Sequence, residues 1–296
     1  MTTKIAFVGK PEMGKTTIKK VVFEGADPNE LVMFPLEATI KTQFSVHEFM
    51  DSKIILLDTP GQSLSSLLQD EEKQIRSFEN VNAIIYIFDY PSYIENSEEI
   101  INDVRRIYEI NKKHNFNAHI ILFLHKIDLI LAQKIGFKLS IVKKQITKLL
   151  NLPEELDLHF TSLHPNLIYT IYNALSGTIG SFSDEISKLK PIIKKIIENL
   201  PKTICLVSNQ SDNIIIQEMS NDFDTITVFK LAEKLYKAIS STEEIKAISL
   251  ESKIFYTFFK NISDINSNFK TIMLLSETLE RDGLSEKVSM IKKELN

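Results

Sequence analysis

KIAFVGKPEMGKT, residues 4–16, decides how the rest of the chain is read. Its first five residues form an apolar run of strand length that stops at Gly9. From there Gly9-Lys10-Pro11-Glu12-Met13-Gly14-Lys15-Thr16 satisfies the pattern G-x-x-x-x-G-K-[ST], and a helix-like stretch continues from Lys15 to about Phe23. A glycine-bounded turn between a strand and a helix points successive backbone N–H groups at one place, which suits a chain of phosphates. Pro11 through Thr17 are therefore the candidate phosphate-contacting residues. Lys15 is placed to reach the β- and γ-phosphates, and the Thr16 hydroxyl to ligate Mg²⁺.

Working outward, the first half alternates strand and helix. Residues 43–49 and 53–58 read as two strands joined by a Met50-Asp51-Ser52 turn, and residues 82–89, 118–124 and 156–160 as three more. Helical patterns fall at 64–78, 96–114, 136–150 and 165–177. Continuous apolar strands between helices predict an α/β fold. Its sheet should have six strands, mostly parallel, with one antiparallel edge strand from the 43–58 hairpin. After Gly177 and Gly180 the pattern changes to helix (183–199), strands (202–209 and 213–219, around Gln210-Ser211-Asp212), helix (227–239), strands (246–252, 253–262 and 269–277) and helix (283–295). That order predicts a smaller α+β domain on an antiparallel sheet, giving domains 1–177 and 178–296.

The chain has 296 residues, 43% hydrophobic and 25% charged, with net charge −4, which fits a folded protein with a substantial core rather than a disordered one. Only four arginines (Arg76, Arg105, Arg106, Arg281) and a negative balance argue against a nucleic-acid partner. A lone Cys205 excludes an internal disulfide and a cysteine-based metal site, and points to a reducing, cytoplasmic setting. The opening MTTKIAFVGK shows no signal peptide or myristoylation glycine, the closing KKELN no prenylation cysteine, and the longest apolar runs (84–88, 120–124) fall far short of a bilayer. The expectation is no direct membrane anchor, so that any place on an internal membrane would come through partner proteins.

Two further motifs sit at strand ends. Asp58-Thr59-Pro60-Gly61-Gln62 follows KIILLD. Asp58 can hold Mg²⁺ through water, Gly61 can bring its N–H to a γ-phosphate, and Gln62 is the candidate catalytic residue, orienting an attacking water. His125-Lys126-Ile127-Asp128 follows AHIILFL. A carboxylate at 128 can accept two hydrogen bonds from guanine that adenine does not offer, the Lys126 stem can lie on the base, and a ring nitrogen of His125 could tie this loop to the phosphate loop.

On these motifs residues 1–177 resemble a Ras-type small G domain, and more narrowly the Rag/Gtr family, in which a histidine stands where most small GTPases have the asparagine of Asn-Lys-x-Asp. The resemblance implies further residues. Ala38-Thr39-Ile40 is similar to the family's switch I, which makes Thr39 the γ-phosphate-sensing Mg²⁺ ligand, with Thr42 as the second candidate. Phe160-Thr161-Ser162-Leu163 resembles the base-contacting loop, placing Thr161, Ser162 and Leu163 at the nucleotide and Ser162 near the guanine O6. The order of elements in 178–296 resembles a roadblock/longin-like domain. Together these imply GTP/GDP and Mg²⁺ as ligands, slow GTP hydrolysis, and dimerisation with a like chain or a different Rag/roadblock-type subunit. Roadblock scaffolds, GTPase-activating proteins and exchange factors are further implied partners. Pro11 and Glu12 depart from the small residues common in such loops, and Pro60 should stiffen the start of switch II. A hydrolysis-poor, guanine-nucleotide-binding scaffold is the alternative reading.

Other features read as structural. The six histidines show no zinc-ligand spacing and no Gly-x-Ser-x-Gly is present. Phe255, Tyr256, Phe258 and Phe259 read as a core strand, with a subunit contact through the outward pair as the alternative. Arg105-Arg106 reads as a solvated helix face.

Overall fold

The computed structural model describes residues 2–33, 42–49, 52–132, 139–164, 167–180, 182, 184–210, 214–220, 235, 239, 245–253, 255–264 and 269–294. Ala38-Thr39-Ile40, the Met50-Asp51 corner, Ser211-Asp212 and most of the expected helix 227–239 lie outside the described residues. The chain divides into two compact units, Met1–Ala174 and Leu175–Asn296.

The first unit is built on β1 (Thr2–Val8), β2 (Gln43–Phe49), β3 (Ser52–Asp58), β4 (Ala83–Asp89), β5 (His119–His125) and β6 (Asp157–Phe160). Their order is β2-β3-β1-β4-β5-β6, and only the β2–β3 pair is antiparallel. All seven residues of β4 are buried, so both faces of the sheet are covered at its centre. Each of its fully buried isoleucines contributes about 1.5–3 kcal/mol of hydrophobic stabilisation. Because β3 lies on one side of β1 and β4 on the other, the carboxyl ends of the strands open at a topological switch point, where open α/β sheets hold ligands.

Helices follow the strands. They are α1 (Lys15–Ile18), continuing as a π-helical Lys19–Phe23, then α2 (Pro28–Met33), α3 (Leu64–Gln69), α4 (Glu71–Phe78), α5 (Tyr90–Lys113), α6 (Ile127–Ala132), α7 (Leu139–Leu150) and α8 (Tyr169–Gly180). Several depart from the periodicity. The expected helix 64–78 breaks at Asp70, whose extended backbone and side chain (accepting Lys73 N at 3.2 Å) cap α4. Helix α5 starts at Tyr90 instead of 96 because Asp89 caps it and Pro91 occupies its first turn, and it kinks at Asn96 (φ −135°, ψ 40°). Arg105 and Arg106 are not merely solvated. Arg105 donates from Nε and Nη2 to the Leu150 and Leu149 carbonyls at 3.1 and 2.5 Å, satisfying the end of α7. Arg106 Nε and Gln74 Nε2 both donate to the Leu68 carbonyl, at 3.3 and 3.0 Å. Gly177 and Gly180 lie in the last turn of α8, and the division between the two units falls inside that helix.

The second unit has α9 (Asp184–Ile197), β7 (Thr203–Ser208), β8 (Ile214–Met219), β9 (Ala247–Glu251), β10 (Tyr256–Asn261), β11 (Thr271–Ser276) and α10 (Arg281–Lys293). Its antiparallel sheet runs β8-β7-β11-β10-β9, with α9 on β7 and β8 and α10 on β10 and β11. Alternate residues Ile204, Leu206, Met273 and Leu275 join Phe255, Phe259 and Ile239 in one core. Phe255 and Phe259 are buried while Tyr256 and Phe258 are half-buried, the alternation of a core strand. Cys205 is fully buried, which pushes its thiol pKa far up. Among the described residues no helix is long and apolar enough to cross a membrane.

Candidate functional site

The loop after β1 is held by backbone geometry few residues allow. Gly9 and Gly14 have φ of +146° and +91°, and Glu12 adopts +64° although it carries a side chain. A Cβ on Gly9 would strike the Ile87 carbonyl. Pro11 and Glu12 are exposed at the loop's crest, whereas Met13 is buried. Gly14 sits at the N-cap of α1, its carbonyl accepting Ile18 N at 2.8 Å. Lys15 follows, 5% exposed, and its Nζ donates to the Gly9 and Lys10 carbonyls at 2.8 and 2.7 Å. Burial lowers its pKa to about 8, with Asp58 pulling the other way.

Asp58 is fully buried at the end of β3. Thr16 Oγ1 donates to its Oδ2 at 2.8 Å, while its Oδ1 is buried without a hydrogen-bond partner. Burial raises the carboxyl pKa, opposed by the Thr16 bond and by Lys15 and Lys19. Thr59 laces this strand end to β1, its N and Oγ1 both donating to the Phe7 carbonyl at 3.3 and 2.7 Å. Gly61 then crosses directly over the phosphate loop, where a Cβ would meet the Lys10–Pro11 peptide. Gln62 is exposed in the 3₁₀ turn Gly61–Ser63. Thr42 is exposed just before β2, and Thr39 lies outside the described residues.

At the other end, His125 is 3% exposed. Its Nδ1 pairs with Thr161 Oγ1 at 3.0 Å, and its opposite edge packs on Gly14, where a Cβ would approach Cδ2 to 2.8 Å. The tie to the phosphate loop is thus a packing contact, with the ring nitrogen's bond going to Thr161. Burial first, and then Lys126, lowers the imidazole pKa to about 4, so the ring is neutral. Asp128 opens α6 and accepts a hydrogen bond from Ser162 Oγ, which also accepts His164 N at 3.0 Å. The Ser162 hydroxyl is therefore directed at Asp128. Thr161 and Ser162 are fully buried and Leu163 is half-buried.

Lys126 connects the two ends. Its backbone is left-handed (φ +58°), and its Nζ donates to the Glu12 carbonyl at 2.9 Å and to Asp89 Oδ2 at 2.8 Å. Asp89 belongs to none of the three sequence motifs, and its only signal is that of a helix cap, an acid ending a buried strand two residues before Pro91.

This arrangement fits a nucleotide phosphate chain and Mg²⁺. Glycines stand where Cβ atoms cannot, a buried cation lies under the loop, and an unpartnered carboxylate oxygen stands beside a hydroxyl. Among the described residues no group of three or more His, Cys, Asp or Glu is placed to hold a metal. The Thr16 hydroxyl and the Asp58 carboxyl are oxygen donors of the kind Mg²⁺ takes, the rest of its shell coming from water and substrate phosphates.

Fold and site together define a Ras-like G domain. Residues 4–265 match the Gtr1/RagA G protein conserved region, and the chain belongs to the Rag/Gtr family of small GTPases, which bind guanine nucleotide. It is 26% identical over 275 residues to Ras-related GTP-binding protein A of Dictyostelium discoideum, covering 92% of this chain and 82% of that one. It is likewise 26% identical over 297 residues to GTP-binding protein gtr2 of Schizosaccharomyces pombe, covering 98% and 82%. Against Ras-related GTP-binding protein C of Mus musculus the identity is 26% over 204 residues, 66% of this chain and 48% of the relative.

Proposed function

We propose that this protein binds GTP or GDP with Mg²⁺, hydrolyses GTP slowly, and works as a dimeric switch whose nucleotide state decides which partner proteins dock. The observation that carries the reading is the Asp58 carboxylate, buried with Oδ1 unpartnered beside the Thr16 hydroxyl and near buried Lys15. Burying such an oxygen costs about 1–3 kcal/mol, and a bound cation with its waters offsets it.

In this reading Lys15 and the N–H groups of residues 12–17 hold the phosphates. Mg²⁺, held at Thr16, Asp58 through water and a switch I threonine (Thr39 or Thr42), would supply charge neutralisation on the transferred phosphoryl group. Gly61 turns its N–H toward the γ-phosphate, and Gln62 orients the water that attacks it. Asp128, held by Ser162, accepts the guanine N1–H and 2-amino donors, and Lys126 lies along the base. Thr161, Ser162 and Leu163 form the second loop at the base, joined to His125 through Thr161. Residues 178–296 act as the roadblock-type half, pairing with a second Rag- or roadblock-type subunit. Their five-stranded antiparallel sheet with flanking helices supports that reading. Scaffold, GTPase-activating and exchange proteins are further partners, and a peripheral place on an internal membrane would come through them.

One observation favours the second reading, a scaffold with almost no hydrolysis. Gly61 lies on a prolyl peptide that has no N–H, so the loop offers one donor fewer at the edge of switch II. Mass spectrometry of the nucleotide that co-purifies, followed by calorimetry with GDP, GTP and ADP, tests the first reading. A chain indifferent to millimolar GTP sinks it. Single-turnover phosphate release separates the two.

A further inference from the structure

Asp89 carries a charge that the roles above leave unexplained. It ends β4, is 5% exposed, and pairs in register with His125 of the base loop. Its Oδ1 accepts Ser92 N at 2.9 Å, capping α5. Capping needs no charge, since Asn or Ser caps a helix about as well. The second oxygen accounts for the acid, because it accepts Lys126 Nζ at 2.8 Å. Burial works against the carboxylate, but the bonds from Lys126 and Ser92 outweigh it and keep the pKa below the usual range.

The same Nζ donates to the Glu12 carbonyl at 2.9 Å. Glu12 and Lys126 are both non-glycine residues in the left-handed region, at φ +64° and +58°. Such backbones persist only where their surroundings over-determine them. Here a lysine head held on one side by a buried carboxylate joins the two strained turns. One turn belongs to the phosphate loop and the other to the base loop.

We propose that Asp89 is a positioning residue for nucleotide retention: its carboxylate fixes Lys126 as the strut between the phosphate loop at Glu12 and the base loop at 125–128. The inference rests on the guanine-nucleotide reading. Without the carboxylate, Lys126 gains rotamer freedom and the two loops open independently.

The test is a double-mutant cycle on the full-length chain, read as dissociation of a fluorescent GDP analogue and, for weak variants, as its equilibrium titration. Asp89→Asn keeps the cap and removes the charge, and Asp89→Ser keeps the cap and removes the reach to Lys126. Each should speed release about tenfold in the wild-type background and by less than about twofold in Lys126→Met, since the interaction lost is a charge-assisted hydrogen bond. Equal factors in the two backgrounds would assign Asp89 a purely structural role and overturn the proposal. Unchanged release from either Asp89 variant, with tight binding in the wild type, would overturn it alone. A wild-type chain that does not retain GDP would overturn the underlying guanine reading as well.

Discussion

The Thr16 hydroxyl donates to one oxygen of Asp58 at 2.8 Å and leaves the other buried with no partner. The pair joins the first turn after the phosphate loop to the end of the neighbouring strand. The protein holds a carboxylate there at a cost, which makes sense for a cation site filled together with nucleotide. Asp58→Asn should therefore uncouple GDP affinity from Mg²⁺. Chelation with EDTA should weaken GDP binding by about ten- to a hundredfold in the wild type and little in the variant. Equal EDTA sensitivity in calorimetry would remove Asp58 from the cation's shell.

Gly61 and the Lys10–Pro11 peptide make the next case. A Cβ at 61 meets backbone atoms, which cannot swing aside as a side chain would. Gly61→Ala should push the start of switch II off the phosphate loop. GDP affinity should stay within about threefold while single-turnover hydrolysis falls by at least about tenfold. Wild-type hydrolysis in this variant would show that the close crossing has no part in turnover.

Gln62 is exposed, and the task proposed for it is to place a water, not to bind nucleotide. Gln62→Leu should lower turnover by about a hundredfold and leave GTP affinity near wild type. Phosphate release measured beside binding of a non-hydrolysable analogue separates those two quantities.

At the base end, Asp128 accepts from Ser162, which sets the carboxylate's orientation. Asp128→Asn replaces an acceptor pair by one donor and one acceptor, the pattern that xanthine complements. Competition between GDP and XDP should reverse in favour of XDP by about tenfold or more, corresponding to about 1.4 kcal/mol or more. Continued preference for guanine would contradict the assignment.

His125 supplies a pH signature. Its folded-state pKa is lowered from 6.5 to about 4, first by burial and then by Lys126. Between those values the unfolded chain binds a proton that the folded one refuses, so stability falls as pH drops from 6.5 toward 4. His125→Asn removes this group. Denaturant unfolding at pH 7 and pH 5 should show the wild type losing about 1–2 kcal/mol more than the variant over that interval. Parallel losses would mean the imidazole is protonated in the fold.

The first unit's sheet was legible because its strands are runs of apolar residues ending at glycine or at a charged motif, as KIAFV does at Gly9. Lys15, Thr16, Asp58 and Asp128 were legible for the same reason: each sits at a fixed offset from a strand end. What escaped depends on side chains reaching backbone far along the chain. Periodicity puts Arg105 and Arg106 on a solvent face, yet their guanidinium groups bond carbonyls 38 to 45 residues away. It starts α5 at the amphipathic stretch and misses the cap at Asp89, whose role is visible only when Lys126 stands beside it. The π-helical Lys19–Phe23 has no signature that separates it from an ordinary helix.

The Leu68 carbonyl, with both Gln74 and Arg106 donating to it, anchors the end of α3 to α4 and α5. Thr59 is stitched to β1 at one end and Leu68 is pinned at the other, so the eight residues between behave as a span clamped on two piers. Under the proposed switch, a partner that senses hydrolysis would read this short arch against helix Glu71–Phe78 as a fixed landmark beside it.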